Sequence, residues 1–285
     1  MSAPSLPVVR EPAELRAQVR AWKARGERVG LVPTMGALHE GHLSLVRLAK
    51  AQADRVVASV FVNPTQFAAG EDFEAYPRDE ARDAALLASA GCDLLYGPGP
   101  AQMYPDGFST TVSVSGVSEP LEGAFRPTHF AGVATVVAKL LIQAEPDVAV
   151  FGEKDFQQLQ VIRRLVRDLD LPVAIVGAPT IRTQDGLARS SRNAYLSEAE
   201  RTTAGKLNVI LAAAAEALRG GADVASAEVD ALKALAEAGF GKVDYFETRD
   251  PDDLKRLGPG PLTGPARVLV AAWLGKTRLI DNIAV

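Results

Sequence analysis

The chain has 285 residues, of which 47% are hydrophobic and 23% are charged, and its formal net charge is −4. This composition suits a globular protein with a sizeable buried core, and it lacks the excess of Lys and Arg with which proteins neutralise nucleic-acid phosphates. A single cysteine, Cys92, excludes an intrachain disulfide and a thiolate metal cluster. We therefore expect no nucleic-acid partner.

The sequence also lacks the patterns of a membrane or exported protein. No stretch approaches the roughly 18 uncharged apolar residues of a membrane span. The N-terminal MSAPSLPVVREPAEL has no continuous apolar segment behind a basic cap. The lone cysteine fits a reducing compartment. We expect a cytoplasmic protein with no membrane partner.

Short apolar strands alternate with helices over the first 182 residues. Pro12 opens a helix that ends at Gly26. Continuous apolar strands separated by helices are typical of a parallel sheet covered on both faces. The sequence thus predicts an α/β fold, with a Rossmann-like doubly wound parallel sheet over 1–182. Its strands are expected at 28–34, 55–62, 92–96, 110–114, 148–151 and 173–176, and its further helices at 41–53, 79–90, 130–144 and 156–169.

The pattern changes after Arg182, where a polar loop begins. Ser197 and Glu200 form an S-x-x-E capping box, which predicts the start of a long Ala-rich helix that stops at Gly220. A run of helices followed by strands favours a separate, smaller α+β domain over 183–285. Its second helix is expected at 224–238, and its strands around 243–248, 267–274 and 278–283.

The stretch LVPTMGALHEGH, residues 31–42, joins an apolar strand to a helix start that carries His39 and His42. A strand that leads directly into a helix N-terminus is a common phosphate site in α/β sheets, and Gly41 leaves room for a ligand against the backbone. Zinc binding is the first alternative, but HExxH has an i,i+4 spacing and needs a third ligand. Histidines that only cap the helix are the second. We favour phosphate contact and predict no protein-bound metal.

Two later segments have similar chemistry. GEKDFQQLQ, residues 152–160, places Lys154, Asp155 and Gln158 at a helix start directly after a strand. It is not a Walker A loop, and a solvated charged helix start is its alternative. DGLARSSRN, residues 185–193, offers two hydroxyls and Arg192, a set suited to polyphosphate, with an ordinary loop as its alternative.

A long polar loop follows the second strand, over 63–79. Asn63 and Gln66 can reach the same crevice from this loop, and neutral amides suit a hydroxylated organic acid better than a triphosphate. Loops of this length in compact domains are usually lids or binding segments. We therefore expect an acid-binding site beside the phosphate site.

Taken together, LVPTMGALHEGH, VFVNPTQF, EGAFRPTHFAGV, FGEKDFQQL, DGLARSSRN and VAAWLGKTRLIDN occur in an order and at separations that resemble the pantothenate synthetase (pantoate–β-alanine ligase) family. HEGH is similar to the HIGH signature of the nucleotidyltransferase superfamily, and RSSR occupies the place of that superfamily's mobile phosphate-binding loop. The resemblance implies an ATP-dependent condensation of pantoate with β-alanine through a pantoyl adenylate, giving pantothenate, AMP and pyrophosphate. It also implies a homodimer and Mg²⁺ accompanying ATP.

The resemblance also implies roles for individual residues. His42, the usual proton donor, would act with His39, Lys154 and Arg192 in catalysis. Gln66, Gln158 and Asn63 would bind pantoate and β-alanine, and Arg126 and His129 lie in a matching segment. Arg189 departs from the apolar residue of some relatives. The implied ATP-binding residues are Met35, Gly36, Ala37, Leu38, His39, Glu40, Gly41, His42, Gly152, Glu153, Lys154, Asp155, Ile181, Arg189, Ser190, Ser191 and Arg192.

Two other functions stay open on the sequence. One is a nucleotidyltransferase of the same superfamily that stops after nucleotide transfer. The other is a non-enzymatic nucleotide- or metal-binding module that kept the fold. Formation of an amide that depends on both pantoate and β-alanine would separate the ligase from either.

Overall fold

A parallel sheet of six strands forms the first part of the chain in the computed structural model, which describes residues 6–67 and 73–285. The strands are β1 (Val8–Val9), β2 (Val29–Thr34), β3 (Arg55–Val60), β4 (Leu94–Tyr96), β5 (Val148–Gly152) and β6 (Ala174–Ala178). Their order in the sheet is β1-β4-β3-β2-β5-β6, and all neighbours are parallel. The chain therefore winds outward from β2 in one direction and from β5 in the other, which is the doubly wound arrangement.

Helices cover both faces of this sheet, as the unbroken apolar strands require. The helices are α1 (Pro12–Lys23), α2 (Glu40–Lys50), α3 (Glu80–Ser89), α4 (Pro100–Met103), α5 (Glu122–Phe125), α6 (His129–Ala144) and α7 (Phe156–Asp168). Leu31 packs in the core on one face, with helices α1, α6 and α7, while the next residue, Val32, packs on the other with α2 and α3. Single 3₁₀ turns occupy Pro64–Gln66, Glu153–Asp155 and Ser191–Tyr195. Among the described residues, no helix is long and apolar enough to cross a membrane.

The C-terminal part forms an antiparallel sheet of three strands, in the order β7-β8-β9. Val268 and Val270 face a core shared with the helices that precede the sheet, whereas Leu269 and Ala271 face the core of the parallel sheet. The predicted fold class, a Rossmann-like doubly wound sheet with a smaller α+β part, is confirmed. The elements are α8 (Glu198–Ala204), α9 (Lys206–Arg219), α10 (Val224–Ala238), β7 (Lys242–Arg249), β8 (Arg267–Leu274) and β9 (Thr277–Ala284).

Two sequence predictions about local structure are wrong. The segment 110–114 is not a strand, because it lies along α6, where the Val112 backbone N–H donates to Thr135 Oγ1 at 3.0 Å instead of to a neighbouring strand. The Ala-rich helix does begin with the predicted Ser197–Glu200 capping box, but it is interrupted at Gly205, the weakest helix former in that run.

Candidate active site

A cavity of about 720 Å³ opens where the carboxyl ends of β2 and β5 lie side by side. These are the two strands from which the sheet winds outward in opposite directions, and such a switch point is where open α/β sheets bind ligands. The structure brings most of the sequence-predicted site residues to this cavity. They are Met35, His39, Gly41, His42, Asn63, Gln66, Gly152, Lys154, Asp155, Gln158, Ile181, Arg189, Ser190, Ser191 and Arg192.

The turn between β2 and α2 is held by a buried carboxylate that the sequence analysis did not identify. Asp83 of α3 is 1% exposed and accepts hydrogen bonds from the Ala37 and Leu38 backbone N–H groups, at 3.0 and 2.9 Å. Gly36 has φ +81°, and a Cβ atom there would lie 2.9 Å from Asp83 Oδ2. The turn thus requires glycine at position 36 and an acceptor at position 83.

His39 and His42 cap the helix start with their own rings. The Gly41 N–H donates to His39 Nδ1 at 3.1 Å, and the His39 N–H donates to His42 Nδ1 at 3.3 Å. The ring centroids lie 4.1 Å apart. Gly41 is needed for this packing, because a Cβ atom would lie 2.8 Å from His39 Cε1. With Nδ1 occupied as an acceptor, each neutral ring carries its proton on Nε2.

Both rings are neutral at neutral pH. Burial lowers the pKa of His42 to about 3 and that of His39 to about 4, because it disfavours the charged ring. The positive charges of Lys154 and Arg189 lower the pKa of His39 further. The histidines therefore offer Nε2–H as hydrogen-bond donors, and their low pKa favours this role over that of an acid that transfers a proton.

Positive groups from two other segments surround this pair. Lys154 follows β5, and its ammonium lies 3.7 Å from the carboxylate of Asp155. Arg189 belongs to a small hairpin in which its N–H donates to Ile181 O at 2.9 Å, and its buried Nε has no hydrogen-bond partner among the described residues. The three segments therefore meet as predicted, with donors and fixed charges directed at one space.

Five residues predicted to bind ATP do not line the cavity. Leu38 is 1% exposed in the core, Glu40 forms an ion pair with Arg47, and the Glu153 carboxylate binds a β8 arginine. The backbone N–H groups of Gly36, Ala37 and Leu38 already donate to protein oxygens. ATP contacts by these five residues stay a prediction. Because the three N–H groups are already bonded, the imidazole rings are more available than the backbone as donors to a ligand.

The neutral amides that follow β3 form a connected network. The Asn63 side-chain NH₂ donates to Gln66 Oε1 at 3.1 Å, and Gln66 Nε2 donates to the Met35 sulfur at 3.1 Å. Asn63 is 1% exposed, and its carbonyl oxygen accepts from the hydroxyls of Tyr104 and Thr65, at 2.8 and 2.9 Å. Asn63 thus orients Gln66, and Tyr104 is a contributor that the sequence analysis missed.

The remaining amide, Gln158, lines the cavity from α7, and its side chain bonds to no other residue in the described part of the chain. It is therefore available to a ligand. Arg126, which directly follows α5, and His129, the first residue of α6, both contact Gln66. Arg126 Nη2 and His129 Nδ1 lie 3.2 and 2.8 Å from the Gln66 carbonyl oxygen. They position the Gln66 backbone, and a direct role in binding stays a prediction.

The loop predicted as a lid is described only in part, because residues 68–72 lie outside the described ranges. Tyr76, at its far end, is 5% exposed, and its hydroxyl lies 3.4 Å from Ser191 Oγ. One end of this loop therefore carries the Asn63 and Gln66 amide network, and the other reaches Ser191 of the RSSR segment. Over residues 6–67 and 73–285, no group of three or more His, Cys, Asp or Glu side chains is placed to hold a metal ion.

Fold and site together define a class: an α/β enzyme that binds a nucleotide at the switch point of a Rossmann-like sheet, with a polar pocket for a second substrate beside it. The model of the family described as pantoate-beta-alanine ligase matches residues 7–284. The chain belongs to this family.

Relatives and solved structures agree over the whole length. The chain is 66% identical to the pantothenate synthetase of Caulobacter vibrioides, over 98% of this chain and 98% of the relative. It is 62% identical to that of Rhodospirillum rubrum, over 99% of this chain and 99% of the relative. The crystal structure of the Thermus thermophilus pantothenate synthetase is 49% identical with a TM-score of 0.92, and covers 98% of this chain and 99% of its own. A Francisella tularensis ligase solved with β-γ ATP and β-alanine is 34% identical, with a TM-score of 0.82, covering 98% of this chain and 97% of its own.

These comparisons confirm the predicted function. The protein is an ATP-dependent ligase of pantoate and β-alanine, with ATP as a substrate. They favour this activity over a transferase that stops after nucleotide transfer and over a non-enzymatic binding module.

Proposed function

We propose that the cavity catalyses the ligation in two steps and that the sequence-predicted residues carry them out. In the first step the pantoate carboxylate attacks the α-phosphorus of ATP and pyrophosphate leaves. In the second the β-alanine amine attacks the pantoyl adenylate and AMP leaves. The observation that carries this proposal is the pair of neutral histidines, His39 and His42, facing Lys154 and Arg189 in one cavity.

The first step needs charge stabilisation and no general base. A carboxylate is already ionised at neutral pH, so the barrier comes from bringing it to a polyanion. We assign the two histidine Nε2–H groups, Lys154 and Arg192 to the leaving pyrophosphate, where negative charge increases. Arg189 and the hydroxyls of Ser190 and Ser191 are proposed to bind the remaining phosphate oxygens.

The pantoate site is proposed at Gln66 and Gln158. The amide of Gln66 is held by Asn63, while the available amide of Gln158 lines the same cavity from α7. Two neutral amides can bind the hydroxyl and carboxylate oxygens of pantoate without adding charge repulsion or requiring a proton. β-Alanine is proposed to bind next to Gln66.

Mg²⁺ is proposed to accompany ATP. Magnesium in nucleotide sites is usually held by substrate phosphates and one or two carboxylates. Asp155 fits this requirement, because its carboxylate lines the cavity beside Lys154, and its side chain is 47% exposed. The ion would neutralise charge on the phosphate oxygens.

A homodimer is proposed as the family resemblance implies. One face of α6 supports it: Lys139 lies 4.9 Å from the exposed Phe108 ring, Ile142 is 52% exposed, and the backbone of 110–114 lies alongside with no partner strand among the described residues. We also keep the domain boundary near 182 and the cytoplasmic location as proposals. The second hydrophobic core supports the boundary, since its buried members run from Leu187 to Leu279.

The test is pantoate-dependent exchange of pyrophosphate into ATP, measured together with amide formation. We expect exchange with ATP and pantoate alone, and pantothenate plus AMP only when β-alanine is added. A protein that forms the amide without any exchange would contradict the adenylate route. Exchange without amide formation would favour the nucleotidyltransferase alternative.

A further inference from the structure

We propose that Asp281 and Asn282, consecutive residues of β9, hold two of the ATP-binding segments in register and act as positioning residues for adenylation. One segment is the 152–155 turn that carries Lys154, and the other is the 181–192 hairpin and turn that carries Arg189 and Arg192. The inference rests on the phosphate contacts proposed above for these segments.

Asn282 binds the first segment through its backbone. It is 3% exposed, and its side-chain NH₂ donates to Glu153 O at 2.9 Å and to Lys154 O at 2.8 Å. Both protons of the amide are therefore used on consecutive carbonyl groups of one turn. This fixes the peptide planes on either side of the Lys154 side chain, so the direction of that side chain depends on Asn282.

Arg267 of the neighbouring strand fixes the Asn282 amide in turn. Its Nε donates to Asn282 Oδ1 at 2.7 Å, its Nη2 donates to Glu153 Oε2 at 3.1 Å, and its guanidinium lies 3.9 Å from the centroid of the Phe156 ring. Oδ1 is thus an acceptor and Nδ2 a double donor, which leaves one orientation of the amide. A carboxylate in its place could not donate to the two carbonyls.

Asp281 holds the second segment from the opposite side of the same strand, since consecutive strand residues point to opposite faces. Asp281 is 2% exposed, and its carboxylate accepts two hydrogen bonds from Arg182, at 2.6 and 2.9 Å. Arg182 Nη1 also donates to Gly186 O at 3.1 Å, across the hairpin that leads to Arg189.

The geometry follows from the adjacency of the two residues. A single peptide unit of β9 connects the Lys154 turn to the Arg182 hairpin, although both lie far from it in the sequence. Groups that bind different oxygens of one polyphosphate must keep their separation to a fraction of an ångström. The C-terminal sheet thus fixes the positions of the two ATP-binding segments relative to each other, in addition to lining the cavity.

The test uses Asn282→Asp and Asp281→Asn, which conserve side-chain size, together with Asn282→Ala. Thr248→Val is the matched control, because Thr248 is fully buried in the same sheet and its hydroxyl has no hydrogen-bond partner among the described residues. Each variant is assayed for pantoate-dependent pyrophosphate exchange, for KM of ATP and of β-alanine, and for amide formation from added pantoyl adenylate.

We expect Asn282→Asp and Asn282→Ala to lower exchange by about a hundredfold, the effect of displacing a positioning group by roughly 1 Å. KM for ATP should rise, while KM for β-alanine and amide formation from added adenylate should change less than about threefold, because pyrophosphate has already left. Asp281→Asn should act in the same direction, and Thr248→Val should match the wild type.

Equal losses in both half-reactions, or exchange at the wild-type rate in folded Asn282→Asp protein, would overturn the inference. If the Asn282 variants do not fold, the comparison of KM for ATP with KM for β-alanine in Asp281→Asn decides the question. An unchanged KM for ATP in that variant would count against the inference. Absence of exchange in the wild type is a different result, because it would overturn the proposed two-step function itself.

Discussion

His42 has two separable tasks, and three substitutions distinguish them. Its Nδ1 accepts the His39 N–H at 3.3 Å and caps α2, while its Nε2–H is the proposed donor to phosphate. In His42→Asn the side-chain oxygen can take the place of Nδ1, but the side chain is too short to reach the position of Nε2. In His42→Gln the amide nitrogen can reach that position, and the cap is lost. His42→Ala removes both.

The expected magnitudes follow from these contacts. Loss of a helix cap costs about 1 kcal/mol of stability, so His42→Gln and His42→Ala should unfold at lower urea concentration than His42→Asn. Loss of one donor to a developing charge costs roughly 3 kcal/mol in the barrier, so His42→Asn and His42→Ala should lower pyrophosphate exchange by about a hundredfold. His42→Gln should retain exchange within about tenfold of the wild type.

The assay is pantoate-dependent exchange, run beside amide formation from added pantoyl adenylate. The first activity should fall in His42→Asn while the second stays near the wild-type rate, because pyrophosphate departs only in the first step. Wild-type exchange in His42→Asn would refute the reasoning, since the ring would then serve only as a cap.

Three further predictions concern the same turn. Asp83→Asn should destabilise the fold by about 2 kcal/mol, since one of the two buried N–H groups loses its acceptor. A variant that unfolds at the same denaturant concentration as the wild type would contradict this. Gly41→Ala should lower exchange about a hundredfold with little change in stability, because the Cβ displaces the His39 ring while Ala favours the helix by about 1 kcal/mol. The free energy of unfolding should fall as the pH drops from about 6.5 towards 4. In this range histidines of the unfolded chain bind protons, whereas the folded His39 and His42 rings stay neutral because their pKa values are about 4 and about 3. His42→Asn should flatten this slope, and identical slopes would disprove it.

The sequence predicts the fold well where local pattern decides it. The apolar strands and the helices between them occur in the expected order, and α10 and β8 begin and end where they were predicted. Segment 110–114 shows the limit of periodicity, because its alternation is real but a strand also needs a neighbour to pair with. Gly205 shows another limit, since an Ala-rich run does not reveal where tertiary contacts redirect a helix.

The site is predictable to the extent that its residues follow strands in the sequence. His39, Gln66 and Lys154 each lie within six residues of the end of a β-strand, and the carboxyl ends of parallel strands meet at one edge of the sheet. Asp83 and Asn282 were missed because their partners lie 45 and 128 residues away, at distances over which no local signal operates. Their side chains act by fixing backbone, and such support is visible only once the fold is known.

The two steps of the reaction should differ in their dependence on pH, because of the protonation states of the groups in the site. Neutral histidines with pKa about 4 and about 3 do not change charge near neutral pH, and neither does the pantoate carboxylate. Once corrected for the ionisation of ATP and pyrophosphate themselves, pyrophosphate exchange should therefore be flat between about pH 6 and pH 8. β-Alanine arrives as an ammonium ion and must lose a proton before it attacks, so amide formation from added adenylate should rise with pH over that range. A parallel rise in exchange would show that a titrating group controls the first step, and it would contradict the assignment of His39 and His42 as neutral hydrogen-bond donors.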